Sequence, residues 1–266
     1  MMISVLTVNH RSCEDLTELA ESIRRHPPRA GHDVELVVTN NSTGDLPRLP
    51  NDPAVRITVL DSPNQGFAAG VNRAFRQSQG EIVMIANPDV RMTAGTFDGA
   101  VDYLNAHPEV GIVLPLLRYP SGEVQYSVRR FYTWWIVLYA RSPLRMLNYR
   151  PAFFRHYHYE DLDRTAPVPV DWGLGAAMFL RREDCGEDGI CDERFFLYFE
   201  DVDLCYRMWQ RGQSVMYCPQ IECIHAHRRF SRNPFSVAGG RHLRSLTRFI
   251  IKHGGLPQRP EDKDEG

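Results

Sequence analysis

Four short apolar runs, each closed by a polar turn that contains asparagine, occupy the first 90 residues and constrain the fold more than any other feature. The runs are Ile3 to Val8, Val34 to Val38, Val55 to Leu60 and Ile82 to Ala86. Their turns are Asn9-His10-Arg11-Ser12, Asn40-Asn41-Ser42, Asn64-Gln65-Gly66 and Asn87-Pro88-Asp89. Short runs rich in β-branched residues read as strands, and runs this apolar suit strands covered on both faces. Leu16 to Ile23 and Ala68 to Ser78 have helical spacing between them. The alternation predicts an α/β fold, with a mostly parallel central sheet flanked by helices. Ligands bind such sheets beyond the carboxyl ends of the strands. The four turns are therefore the first candidates for function, although Asn, Gly and Asp are also ordinary turn residues.

Beyond residue 90 a helix is expected from about Gly95 to Ala106, a strand at Val110 to Leu114 and a turn at Ser121-Gly122. Arg129 to Pro167 has poor periodicity and many aromatic and arginine residues, and reads as an insertion or lid. Regular structure returns at Val168 to Leu180, with a turn near Gly173 to Gly175. A loop over Cys185 to Phe195 leads to a helix from Glu200 to Gln210, which Gly212 terminates. A strand at Ser214 to Cys218 and a closing helix over about Ser236 to His253 follow. A chain of 266 residues buries one sizeable core. The expectation is one domain over 1–256, with halves 1–114 and 115–235, an insertion at 129–167, a C-terminal helix at 236–256 and a disordered tail at 257–266.

A formal net charge of -2 argues neither for nor against nucleic acid, and none is expected as a partner. Six scattered cysteines without a secretory leader point to a reducing, cytoplasmic compartment. Cys218, Cys223, His225 and His227 crowd together without paired CxxC spacing, so structural zinc is not expected. No apolar run reaches the roughly 18 to 20 residues of a membrane span. Phe131 to Ala140, followed by Arg141, Arg145 and Arg150, suits a lipid headgroup zone, and burial in the core or under a neighbouring subunit suits it equally. The basic stretches His225 to Arg232 and His242 to Arg248 either face phosphates or form a solvated surface.

Two carboxylate groups carry chemistry. Asp89 follows a buried strand, where one or two carboxylates hold Mg²⁺ or Mn²⁺ and leave coordination positions to phosphates and water. A turn or helix-capping aspartate is the plain alternative. Glu200-Asp201-Val202-Asp203 follows the aromatic run Phe195 to Phe199 at a helix start, which favours carboxylates whatever their role. Asp203 and Arg207 are four apart and read as a surface ion pair. Glu200 and Asp201 diverge on the first turn, so one faces a cleft while the other is anchored. Aromatic neighbours exclude water and suit a general base, for which Asp201 is the first choice and Glu200 the second.

The ordered succession Val37-Val38-Thr39-Asn40-Asn41-Ser42, Asn64-Gln65-Gly66-Phe67-Ala68-Ala69-Gly70-Val71-Asn72, Asn87-Pro88-Asp89-Val90, Asp171-Trp172-Gly173-Leu174-Gly175-Ala176 and Phe199-Glu200-Asp201-Val202-Asp203-Leu204-Cys205 resembles the family-2 inverting glycosyltransferases. Within them it is most similar to the rhamnosyltransferase-like branch, over roughly residues 3 to 231. The resemblance implies a GT-A fold, a dTDP- or UDP-linked sugar donor, a glycan or lipid-linked acceptor and a divalent cation, Mg²⁺ or Mn²⁺. It also implies work in the cytoplasm, with peripheral contact at the inner face of the plasma membrane.

Carried onto this chain, the resemblance makes Asp201 the base, with Glu200 beside it on the acceptor side. Asp89 takes the metal end of the family's DxD-type motif, with Asn87 in place of its first Asp. Val8, Asn9, Thr39, Asn40 and Asn41 line the nucleoside pocket, and Gly66, Phe67 and Asn72 lie against the donor. Trp172 and Gly175 stand where acceptor and sugar approach. His225 lies near the diphosphate or metal, with Arg229 assisting; a strand-end histidine is its plain alternative. Thr39 departs from the family, which has Asp there to bond a pyrimidine base. That departure and the single carboxylate at Asp89 motivate a second reading, a nucleotide-sugar-binding module without catalysis, against which Asp201 speaks. A third, sugar-phosphate nucleotidyl transfer, needs a glycine-rich, Arg- and Lys-bearing phosphate loop that the segment after Val8 lacks.

Overall fold

The computed structural model describes residues 1–42, 49–50, 55–142, 144, 149–187, 189–226 and 237–259. The four runs are strands β1 (Met2–Asn9), β2 (Asp33–Asn40), β3 (Val55–Asp61) and β4 (Ile82–Ala86), mutually parallel in the order β3-β2-β1-β4. Helix α1 (Cys13–Arg25) buries Leu16, Leu19, Ala20 and Ile23 at helical spacing, with Glu14 and Asp15 in its first turn and Arg24 and Arg25 in its last, as the helix dipole favours. Helix α2 (Phe67–Gln77) approaches the sheet closely at Gly70, where a Cβ would lie 2.7 Å from a methyl of Val8.

The remaining elements are β5 (Val90–Met92), α3 (Thr96–Ala106), β6 (Val110–Arg118), β7 (Val128–Arg129), α4 (Trp134–Arg141), α5 (Ala152–Tyr157), β8 (Val168–Pro169), β9 (Trp172–Gly173), β10 (Ala177–Arg181), α6 (Glu200–Gln210), β11 (Ser214–His225) and α7 (Val237–His253). Past β4 the sheet becomes mixed. β10 lies antiparallel between β4 and β6, β11 runs parallel to β6, and β5 and β8 pair antiparallel with β11. β7 and β9 form a separate two-stranded ribbon.

β11 extends well past the expected end at Cys218. Pro219 cannot donate to the ladder, and the register shifts between Cys218 and Glu222 before pairing with β6 resumes. That continuation carries His225 to the site. The insertion contains α4 and α5 and is tied down by Asp171, whose carboxylate accepts from Phe131 N–H (2.6 Å), the Tyr159 hydroxyl (3.1 Å) and Arg259 Nε (2.7 Å). Of the tail expected at 257–266, Arg259 is thus held against the domain, and 260–266 lie outside the described residues.

The reading of Asp203 as a surface ion pair is corrected. Asp203 is fully buried and accepts from Arg207 Nε (2.9 Å), Lys252 Nζ (2.6 Å) and His253 Nε2 (2.7 Å). Sequence spacing shows the i, i+4 partner, whereas α7 arrives from 50 residues away and covers it. The carboxylate is held below its usual range because those three donors outweigh the desolvation that opposes them.

Candidate active site

At the carboxyl ends of the first strands the polar residues are largely spent on one another. Asn9 Nδ2 donates to Asn40 Oδ1 (2.9 Å), and Asn40 Nδ2 donates to Asp61 Oδ1 (2.8 Å), so one chain of side-chain bonds crosses β1, β2 and β3. Asn9 Oδ1 accepts from Ser12 N–H and sets the turn into α1. Asn41 Nδ2 reaches the Gly66 carbonyl (3.4 Å) and joins this ladder to the start of α2.

Three expected contacts take other partners. Thr39 is fully buried and its hydroxyl donates to the Gly70 carbonyl (2.7 Å), so it fixes α2 where a base-binding group was expected. Asn72 is bonded to the segment at Ile190 and Cys191. Its Oδ1 accepts from the N–H groups of Ile190 and Cys191 (both 2.9 Å), and its Nδ2 donates to the Cys191 carbonyl (2.7 Å), which pins the loop before α6. Trp172 is buried, donates to the Arg130 carbonyl (2.8 Å), and is covered by the Tyr132 ring at 5.7 Å.

Asp89 sits between β4 and β5. Asn87 N–H donates to the Ala176 carbonyl (2.9 Å), and Val90 N–H closes a turn on the Asn87 carbonyl. Because β5 pairs with the end of β11, His225 stands opposite Val90, and its Nε2 lies 3.3 Å from Asp89 Oδ1. The other ring nitrogen, Nδ1, is 2.7 Å from Gln125 Oε1, a contact that orients the imidazole as outer partners of metal-binding histidines do. One carboxylate and one imidazole leave most of a coordination sphere to phosphates and water, which is how Mg²⁺ is held beside nucleotides. The donor set fits a cation shared with a diphosphate. Among the described residues no group of three metal-ligating side chains forms, and His227 and Arg229 lie outside them.

α6 starts after two consecutive non-glycine residues in the left-handed region, Tyr198 (φ 69°) and Phe199 (φ 70°). Each costs about 1–3 kcal/mol and persists only where the surroundings enforce it. The enforcement comes from Gly66, whose φ is 104° and whose Cβ, were there one, would lie 2.4 Å from the Phe196 carbonyl oxygen. Phe67 N–H donates to that same carbonyl (2.8 Å). α7 closes the other side, with Ser245 Oγ bonded to the Leu197 carbonyl and Phe249 packed on Phe199.

This aims two carboxyl groups differently. Asp201 Oδ2 accepts from Gly175 N–H (3.1 Å) and Oδ1 from Val202 N–H (2.9 Å). Glu200 is only 6% exposed, and its Oε2 has no hydrogen-bond partner among the described residues. Burial pushes both upward. For Glu200, charge repulsion from Asp201 adds to burial and holds its carboxyl well above the usual range. For Asp201 the rise is opposed by the Gly175 and Val202 N–H groups and by the Arg129 guanidinium. The pair therefore favours a proton on Glu200 and the charge on Asp201.

Gly175 and Ala176 connect the two ends, one bonded to Asp201 and the other to Asn87. Phe67 also lies at this junction, its ring 3.9 Å from the Cβ position of Gly175. Two residues on the cleft wall escaped sequence reasoning, Gln125 beside His225 and Arg129 near Asp201. Their signal is the alternation Gln125, Ser127, Arg129, a polar face with period two directed inward, where Gln125 and Ser127 are buried.

Residues 4–173 match the description Glycosyl transferase family 2. The N-acetylglucosaminyl-diphospho-decaprenol L-rhamnosyltransferase of Mycobacterium tuberculosis is 30% identical over 246 residues, covering 85% of this chain and 77% of that one. Rhamnosyltransferase WbbL of Escherichia coli K12 is 27% identical over 98% of this chain and 97% of its own length. Among solved structures, GalNAc-T7 with UDP, GalNAc and Mn²⁺ superposes with a TM-score of 0.66 at 15% identity, over 94% of this chain and 48% of that one. The last likeness concerns the fold alone, and this chain spans about half of that structure's length. With the sheet, the strand-end site and these similarities together, the chain belongs to glycosyl transferase family 2 and is a glycosyltransferase with the GT-A fold.

Proposed function

We propose that this protein transfers a sugar from a nucleoside diphosphate to an acceptor hydroxyl with inversion at the anomeric carbon, Asp201 serving as general base. The observation that carries the reading is the asymmetry of the carboxyl pair: Asp201 accepts from two backbone N–H groups, which favour its charged form, beside a buried Glu200 whose Oε2 has no hydrogen-bond partner among the described residues. The acceptor oxygen attacks the anomeric carbon from the face opposite the nucleotide, its proton passes to Asp201, and the bond to the leaving diphosphate oxygen breaks. Glu200, as a neutral acid in the same aromatic-walled pocket, donates a hydrogen bond on the acceptor side. Aromatic walls from Tyr132 and Phe199 keep water from competing for the sugar.

On the donor side, Asn41, Gly66 and Phe67 form the edge against which the donor lies, with Asn87 and Asp89 at the diphosphate. Asp89 and His225 would hold a divalent cation, Mg²⁺ or Mn²⁺, which when bound neutralises charge on the leaving diphosphate. The names of the two relatives support a rhamnosyl group as the sugar, and one of those names supports a lipid-linked acceptor; the donor is read as a dTDP- or UDP-linked sugar. Such an acceptor also implies work at the cytoplasmic surface of a membrane. The test is calorimetry of UDP and dTDP binding with and without Mn²⁺, for the parent and Asp89→Ala. The parent should bind one nucleotide about tenfold or more tightly with the ion, and the variant should lose that gain. An equal gain in both proteins removes Asp89 from the metal site.

A further inference from the structure

The insertion carries a surface that neither donor binding nor base catalysis uses. Residues 129–158 contain six arginines and no Asp or Glu. Of the eleven large apolar side chains exposed among the described residues, six fall between Trp134 and Phe153. α4 is anchored by buried Ile136, Val137 and Tyr139, and turns Trp134, Trp135 (72% exposed) and Leu138 outward. Phe153 of α5 is exposed beside them.

A groove of about 800 Å³ opens at Trp134, Trp135 and Phe153 and is lined farther in by Tyr132, Tyr157 and Tyr206. The Tyr132 ring stacks on Phe199 at 5.0 Å, one residue before Glu200. The exposed face and the carboxyl pair are therefore connected through two stacked rings, Tyr132 and Phe199.

Exposed tryptophans beside arginines, with no carboxylate in between, have the chemistry of a bilayer interface, where indoles sit at headgroup depth and guanidinium groups meet lipid phosphates. A second copy of this chain fits poorly. Two-fold pairing of the face would set Arg141 and Arg155 of one copy against those of the other. Arg150 is already paired with Glu160, which leaves Arg141 and Arg155, among the described residues, as the exposed cations of α4 and α5. We infer that the α4–α5 face docks on an anionic bilayer, with Trp134, Trp135, Leu138 and Phe153 in the headgroup zone and Arg141 and Arg155 on lipid phosphates. The inference rests on the proposed transfer to a lipid-linked acceptor and names the surface that turns the acceptor side of the cleft toward the membrane. Among the described residues no helix is long and apolar enough to cross one.

The test is sedimentation of the full chain with vesicles of phosphatidylcholine alone or mixed with phosphatidylglycerol. The parent should bind the mixed vesicles, and partitioning should fall about tenfold or more in Arg141→Glu/Arg155→Glu and at high salt. Trp134→Ala/Trp135→Ala/Leu138→Ala should lose binding to a similar extent. The charge variant alters exposed groups only, so it decides the matter if the apolar variant misfolds. Nucleotide binding with Mn²⁺ should be unchanged in both. Equal sedimentation with neutral and anionic vesicles, or none with either, overturns the inference. So does light scattering that shows a parent dimer which the same substitutions dissociate. A parent that binds neither UDP nor dTDP yet sediments with anionic vesicles would count against the transferase reading and leave the docking face standing.

Discussion

At the carboxyl ends of β1, β2 and β3, the buried side chains of Asn9 and Asn40 bond to each other and onward to Asp61; at the start of α6, Glu200 is just as buried and has an oxygen bonded to nothing among the described residues. A buried polar group that finds its partners stabilises the fold, and one left without them costs about 1–3 kcal/mol. The first region is scaffold, held rigid so that the proposed donor edge at Asn41, Gly66 and Phe67 keeps its shape. The second keeps polar capacity in reserve, at the point where Tyr198 and Phe199 also hold backbone strain. Such unspent capacity is expected where a substrate completes the bonding.

The sharpest way to test this contrast is Asp201→Asn. The amide can accept from Gly175 or from Val202 but not from both, and it removes the proposed base, so turnover should fall by roughly 10² to 10⁴ while nucleotide affinity stays within about twofold. Single-turnover rates and calorimetry read the two effects separately. Turnover near the parent's, with the fold intact, would move Asp201 into the scaffold class.

Asp203, two residues on, should behave as scaffold of the most committed kind. Asp203→Ala leaves Arg207 and Lys252 without their buried partner and should cost about 3–5 kcal/mol, read by denaturant melts at neutral pH. Its folded carboxyl is held below the unfolded value, so its contribution is present above the unfolded range near 3.9 and is lost as pH falls through the folded value. The melts of variant and parent should therefore converge in acid. A constant gap down to low pH would show that packing, not charge, supplies the stabilisation.

Asn72→Ala comes next. It leaves the buried N–H groups of Ile190 and Cys191 and the Cys191 carbonyl without their side-chain partner and should cost about 1–3 kcal/mol, with nucleotide affinity nearly unchanged. A tenfold loss of affinity at unchanged stability would return Asn72 to the donor site. The smallest effect is expected at Arg129. Asp201 is raised by burial, so the acidic limb of kcat/KM should lie above the ordinary carboxylate range, with activity appearing as pH rises through it. Arg129 favours the charged form of Asp201, so Arg129→Gln should shift that limb to still higher pH. A shift to lower pH would mean that the guanidinium does not act on the base.

The arrangement of elements was readable because it depends on local periodicity. β4 occupies the expected residues Ile82–Ala86, and α6 spans Glu200–Gln210 as its aromatic lead-in and Gly212 stop foretold. The polar turns at the strand ends are likewise local features. The pairing of β11 past Pro219 was not readable, since proline is a strand stop by local rules and only β6 alongside restores the ladder.

By itself, then, the sequence determined β1 to β4, β6, the helices outside the insertion and which polar residues would cluster beyond the strand ends, because side-chain spacing sets which residues share a face. Tertiary structure alone decided what each polar group touches. Thr39 turned to Gly70, Asn72 to a loop 118 residues on, and Gln125 to a histidine 100 residues away. Asp203 gained Lys252 and His253 because α7 folds back over α6. A hydrogen-bond partner is chosen by what packing brings within about 3 Å, and residue spacing along the chain carries no record of that distance.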